Sequence, residues 1–209
     1  DLSVFMVKSN NIVVNLFGGG NQAIADTAVV IMTAGTVDTI FGGGNLAGLG
    51  DADHDRGMAW IEVSNGFVRR GIYGGSNKEG TIVGDITVNV TGNTTVGAIG
   101  ATANIHGGGY GVGTHTNGDV VVNFGNNPTT QCGLKLYGDL YGGSALGEVN
   151  TPSGNDSTIL NILNGTIYGD VYGGGLGRKE EGEIPAAEAK VYGKVFVNLG
   201  EIEGGALQG

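Results

Sequence analysis

Ile159-Leu160-Asn161-Ile162, Gly165-Thr166-Ile167-Tyr168-Gly169 and Val171-Tyr172-Gly173-Gly174-Gly175 together hold one whole unit of a repeating pattern. The last group is an aliphatic residue, an aromatic one and then small residues. It returns as Leu16-Phe17-GGG, Ile40-Phe41-GGG, Ile72-Tyr73-GGS, Ile105-His106-GGG and Leu140-Tyr141-GGS, with a degenerate seventh copy at Ile202-Glu203-GGA. Successive aromatic positions lie 24, 32, 33, 35, 31 and 31 residues apart. Self-similarity at such a period marks a solenoid. The first group alternates with period two, as half-buried strands do. It returns as Val29–Met32, Trp60–Val63, Ile86–Val90, Val120–Phe124 and Val195–Leu199, and the middle group as Leu134–Gly138.

Three short strands per unit, separated by Gly, Asn and Asp turns, predict an all-β chain. The expected fold is a parallel β-helix of about seven coils, forming a single domain over residues 1–209. A β-sandwich or β-prism built from the same strands is the alternative arrangement. Helical periodicity is confined to one turn at Pro185 to Lys190. Strand side chains alternate faces, so the aliphatic column is expected to point inward and the aromatic column outward. Asn89, Asn123, Asn161 and Asn198 are expected to form a second outward ladder. Extra residues gather between each glycine mark and the next long strand, at Asn45 to Gly57, Asn77 to Gly84, Tyr110 to Gly118, Ala145 to Asp156 and Leu176 to Gly193. Equal positions in successive coils share one side, so these loops are expected along one edge of the cylinder, where repeat scaffolds often bind partners.

Composition agrees. Glycine supplies 44 of 209 residues, about three times the usual ~7%. Only three prolines accompany it, which excludes collagen. Hydrophobic residues at 40% against charged residues at 14% exclude a disordered chain. The glycines are read as suppliers of positive φ in tight turns. A phosphate-binding loop needs its glycines to lead into a helix; these triplets lead into loops and strands. The net charge of −10 speaks against nucleic-acid partners, which need a basic face. No apolar run reaches the ~18 residues of a membrane-spanning helix. Cys132 is the single cysteine, so no internal disulfide forms.

Two groups of residues are candidate sites. Asp51, Asp53 and Asp55 alternate in an acidic loop and offer hard oxygen ligands suited to calcium. An EF-hand is rejected, because Arg56 stands where the sharp-turn glycine belongs and Glu62 falls inside an expected strand. No other cofactor is indicated. Phe17, Phe41, Tyr73, His106, Tyr141 and Tyr172 form the aromatic column. Rungs ~4.8 Å apart would stack these rings as structural cement, and an exposed row of rings would serve as a platform for sugars. Tyr137 and Tyr168 make a smaller pair. His54, His106 and His115 are scattered, and Cys132 has no evident base partner. Asp51, Asp53 and Asp55 beside Arg69 and Arg70 are the one grouping that a polysaccharide lyase or hydrolase could use, and no other coil supports a cleft around them.

The units reading V-x-V-N and I-Y-G-G-G-N resemble the glycine-rich β-helix repeats of large adhesin-like surface proteins of gut bacteria, Bacteroidetes especially. Val122-Asn123, Leu160-Asn161, Val197-Asn198 and the six aromatic-glycine marks carry the resemblance along essentially the whole chain. It implies a right-handed β-helix, secretion and exposure on the cell surface, and it supplies no ligand. It also implies candidate O-glycosylation at Thr27, Thr39 and Ser157, each of which follows an Asp and precedes an apolar residue or Thr. Neither end shows a capping sequence, so the chain is expected to be a piece of a longer protein or to stack end to end. The expected function is that of a non-enzymatic adhesin or stalk with a glycan or host-surface partner. A carbohydrate-active enzyme and a filament element are the alternatives.

Overall fold

The computed structural model describes residues 2–7, 11–51, 57–126, 132–203 and 206–208. The chain is all-β, and no helix occurs among these residues, Pro185 to Lys190 included. The strands fall into four columns. The long column holds β1 (Leu2–Val7), β3 (Thr27–Met32), the start of β5 (Ala59–Tyr73), the start of β7 (Ile86–Val96), β10 (Val120–Phe124), β14 (Ser157–Ile162) and β17 (Lys194–Leu199). The second holds β2 (Ile12–Phe17), β4 (Thr36–Phe41), the later parts of β5 and β7, β11 (Lys135–Leu136) and β15 (Thr166–Ile167). The third continues from the ends of β2, β4 and β5 through β8 (Asn104–His106), β12 (Leu140–Tyr141) and β16 (Val171–Tyr172). These strands form one 14-stranded sheet, paired in parallel throughout and curled until it nearly closes.

Register follows the repeat. In the long column Val30, Ile61, Val88, Val122, Leu160 and Val197 align. In the second, Val13, Val37, Val68, Val96, Leu136 and Ile167 align. In the third, Leu16, Ile40, Ile72, Ile105, Leu140 and Val171 align. The inner members of all three columns form one continuous core, as the strict aliphatic pattern predicts; they are fully buried in the middle coils, half-buried at Val13, Ile167 and Val171, and exposed at Val197. Each fully buried Val or Ile contributes ~1.5–3 kcal/mol of apolar transfer.

A fourth column was not foreseen. The segments read as insertions carry a second parallel sheet of β6 (Glu79–Ile82), β9 (Gly113–Thr116) and β13 (Glu148–Val149). Bridges through Ala25, Leu49 and Val191 extend its alignment above and below. Its inward residues are Leu49, Ile82, Thr116 and Val149, all buried. A column that accepts Thr and Ala among short polar runs gives little hydrophobic periodicity.

Two kinds of glycine separate here. Gly66 and Gly165 turn the chain from the long column to the second, at φ of 104° and 102°. Each follows an Asn whose side-chain oxygen accepts the glycine N–H. The glycine marks differ: Gly42, Gly74 and Gly107 do not have positive φ. A Cβ on Gly74 would lie 2.0 Å from the carbonyl oxygen of Gly107, and one on Gly42 would lie 2.1 Å from that of Gly74. The marks are glycine because successive coils touch there backbone to backbone. Their N–H groups donate across that contact, Gly42 to the carbonyl of Tyr73 and Gly74 to that of His106, each at 2.9 Å.

The seventh mark departs from the repeat. β18 (Glu201–Glu203) pairs antiparallel with β19 (Ala206–Gln208) in a separate two-stranded sheet.

Candidate functional site

Register brings the aromatic column together as one stack. Centroid separations run 4.9 Å from Phe17 to Phe41, 5.2 Å to Tyr73, 5.1 Å to His106, 4.6 Å to Tyr141 and 4.9 Å to Tyr172. The rings lie within 14° of parallel. Faces inside the stack therefore meet one another. Phe41, His106 and Tyr141 are buried, while Tyr172 ends the column at 44% exposure. Contact with a ligand is confined to ring edges and end rings.

Carboxylates fix the phenols. Tyr141 donates its hydroxyl to Asp139 Oδ2, and Tyr172 to Asp170 Oδ2, each at 3.1 Å. The other oxygen of Asp139 accepts the Asp170 N–H at 2.9 Å, repeating the bond from the Asp139 N–H to Asn104 Oδ1. Burial and the Asp139 bond push the Tyr141 phenol up, and the Asp170 bond does the same for Tyr172. Burial pushes Tyr73 up to about 12, with Tyr110 adding to it. Burial holds His106 down to about 3, against the pull of Asp139, so at neutral pH it is an uncharged stacking ring.

The expected asparagine ladder is present. Asn123 donates to Asn89 and Asn161 to Asn123 at 2.8 Å, Asn198 donates to Asn161 at 2.9 Å, and Asn89 donates to Glu62 at 3.2 Å. A ladder that the repeat pattern did not reveal joins Asn21, Asn45 and Asn77 just past the glycine marks.

Two lateral grooves hold polar and aromatic groups that sequence reasoning did not combine. One, of about 350 Å³, is lined by Thr39, Phe41, Arg70, Tyr73, Asn77 and Tyr110. Tyr110 meets Tyr73 edge-on, with centroids 5.1 Å apart at 68°. It follows the fourth glycine mark, at the position that Asn21, Asn45 and Asn77 hold in the preceding coils, so periodicity marked the place and gave no signal for the ring. Asp38 holds Arg69 at 3.1 Å and Arg70 Nε at 3.7 Å. The second groove, of about 320 Å³, holds Ile99, Asn104, Tyr137, Asp139 and Tyr168. Tyr137 and Tyr168 stack at 4.5 Å, and Tyr168 is 59% exposed.

The remaining candidates are dispersed. Asp51 is exposed, and Asp53, His54, Asp55 and Arg56 lie outside the described residues. Among the described residues no three His, Cys, Asp or Glu gather in a metal-binding group. His115 Nδ1 lies 3.7 Å from Glu148. Thr27 opens β3 and Thr39 sits in β4, both half-buried. Ser157 opens β14, and its N–H donates to Asp119 Oδ1 at 2.6 Å. Among the described residues, no helix is long and apolar enough to cross a membrane. No protein-family model, curated protein or solved structure matches the chain.

Proposed function

We propose that the chain is a right-handed parallel β-helix of about seven coils that acts as a non-enzymatic extracellular stalk or adhesin. Its side chains repeat one contact rung after rung, and its lateral grooves take a glycan or host-surface ligand. The observation that carries this reading is the in-register stacking of six aromatic rings beside a five-membered ladder of Glu62 and four asparagines. Side chains that bond to their own equivalents in the next coil stiffen a column along its length, which is what a spacer requires. Tyr110 and Tyr168 supply exposed rings beside polar groups, the chemistry that holds a sugar's apolar face and its hydroxyls.

A glycan array probed with the folded chain, once with Ca²⁺ and once with EDTA, tests the adhesive part. Selective binding is expected, and loss in EDTA would assign Asp51, Asp53 and Asp55 a calcium role. Absence of binding in both conditions would reduce the chain to a spacer.

One observation favours end-to-end assembly as a second reading. Val195, Val197 and Leu199 continue buried alignments yet are exposed, Leu199 by 73%. Another coil laid on β17 would cover them. Sedimentation that rises with concentration in the native chain, and not in a Val197→Lys variant, is the expected sign. Concentration-independent sedimentation would exclude this second reading.

A further inference from the structure

We infer that the groove between Arg70 and Tyr110 binds an acidic saccharide, a pyranose carrying a carboxylate or sulfate. This deepens the adhesive reading and rests on it. Arg70 is 76% exposed on its side chain and approaches Asp38 through Nε at 3.7 Å. Asp38 is drawn closer to Arg69, at 3.1 Å. Two guanidinium groups thus share one carboxylate, leaving a local excess of one positive charge in a chain whose net charge is −10. Among the described residues, no carboxylate lines the groove. The terminal nitrogens of Arg70 can present two parallel N–H donors to an anionic group.

The rest of the groove suits the sugar ring. Tyr110 is 45% exposed and stands edge-on to Tyr73, so its ring forms an apolar wall rising from the stack. Tyr73, Thr39 and Asn77 line the same space, and the Asn77 amide is held in place by donating to Asn45 Oδ1. Hydroxyl-bearing ligands would find an anion site, an apolar wall and neutral hydrogen-bonding groups within one groove of about 350 Å³. That volume accommodates one to two sugar rings, at the lower end of ordinary ligand sites of ~300–1,000 Å³.

The test is calorimetric titration of the folded chain with three oligosaccharides of equal length: one of uronic acids, one sulfated and one neutral. Binding of at least one acidic oligomer is expected, with at least tenfold weaker or no binding of the neutral one. Raised salt should weaken it. Arg70→Ala should lower affinity at least tenfold and Tyr110→Ala severalfold, with Arg70→Lys falling between. Circular dichroism confirms that each variant folds, which both exposed positions should permit. Arg178→Ala, whose arginine bonds the Pro185 carbonyl, serves as the unaffected control. Whichever acidic oligomer depends on Arg70 identifies the anion. Acidic binding that survives Arg70→Ala, or selective binding of neutral glycans alone, overturns the groove assignment and leaves the adhesive reading standing. No binding of any glycan, on the array or in titration, overturns both.

Discussion

At the level of single residues, the glycine marks obey space before conformation. The Gly74 Cα faces the Gly107 carbonyl so closely that a methyl group would sit 2.0 Å from that oxygen. The obstacle is backbone in the neighbouring coil, which cannot rotate away. Gly74→Ala should therefore cost more than ~3 kcal/mol or abolish folding. Gly174 belongs to the sixth mark, one place beyond the position equivalent to Gly74, and a Cβ there would meet nothing within 4 Å. Gly174→Ala should be neutral or slightly stabilising, and denaturant midpoints of the two variants decide the matter. Equal effects would mean that the coils do not touch at Gly74. His106 is a second residue-scale case. Its folded pKa near 3 lies below its ordinary 6.5, so between those values the unfolded chain binds a proton that the folded chain refuses. Stability from the neutral ring is complete above pH 6.5 and is lost as pH falls toward 3. At pH 4.5 the loss amounts to about 2–3 kcal/mol. His106→Phe places another ring in the stack without that proton. Urea unfolding at pH 7 and 4.5 should show the variant losing less stability than the native chain, shared carboxylate effects cancelling in the difference.

Ladders dominate at the level of elements. Asn123 sits in the middle of its ladder, donating to Asn89 and accepting from Asn161. Asn198 makes one ladder bond, to Asn161. At ~0.5–1.5 kcal/mol net per hydrogen bond, Asn123→Ala should cost about 1–3 kcal/mol and Asn198→Ala about half as much. Thermal or chemical unfolding of both variants measures the ratio; equal costs would show that the amides do not act as a ladder. This ladder was legible in the sequence, because Asn recurs at one place in an alternating strand. The aliphatic and aromatic columns were legible for the same reason. What escaped lacks a period. β6, β9 and β13 put Ile82, Thr116 and Val149 at one inward position, a set too mixed to stand out between polar residues. The Asn104 amide and the Asp139 carboxylate look like ordinary turn groups until register sets each beside the next coil's N–H. Of the two grooves, the sequence showed the Tyr137–Tyr168 pair and the arginines. It could not show Tyr110 lying against Tyr73, because the same place in the other described coils holds Asn21, Asn45, Asn77, Ala145 or Leu176 and so carries no aromatic signal.

For the whole molecule, contacts run between neighbouring rungs, so stability should vary along the axis instead of being shared evenly. β7 and β10 have a strand on each side in the long column, and their inward residues Ile86, Val88, Val90, Val120, Val122 and Phe124 are fully buried. β17 has β14 on one side and exposes Val195, Val197 and Leu199 on the other. At the opposite end Ile12 and Val14 of β2 are likewise exposed. Opening at β17 or β2 breaks one interface, whereas opening at β7 or β10 breaks two. Amide hydrogen exchange should therefore be slowest over Ile86–Val90 and Val120–Phe124 and fastest over Lys194–Leu199 and Ile12–Phe17. Uniform protection across all rungs would mean that the chain unfolds as one unit, against a column of separable rungs. The same measurement reads the second functional proposal. If copies stack end to end, protection of β17 rises with protein concentration while that of β10 does not, and Val197→Lys removes the rise. A β17 that stays fast at every concentration would exclude stacking between copies and leave the lateral-binding proposal.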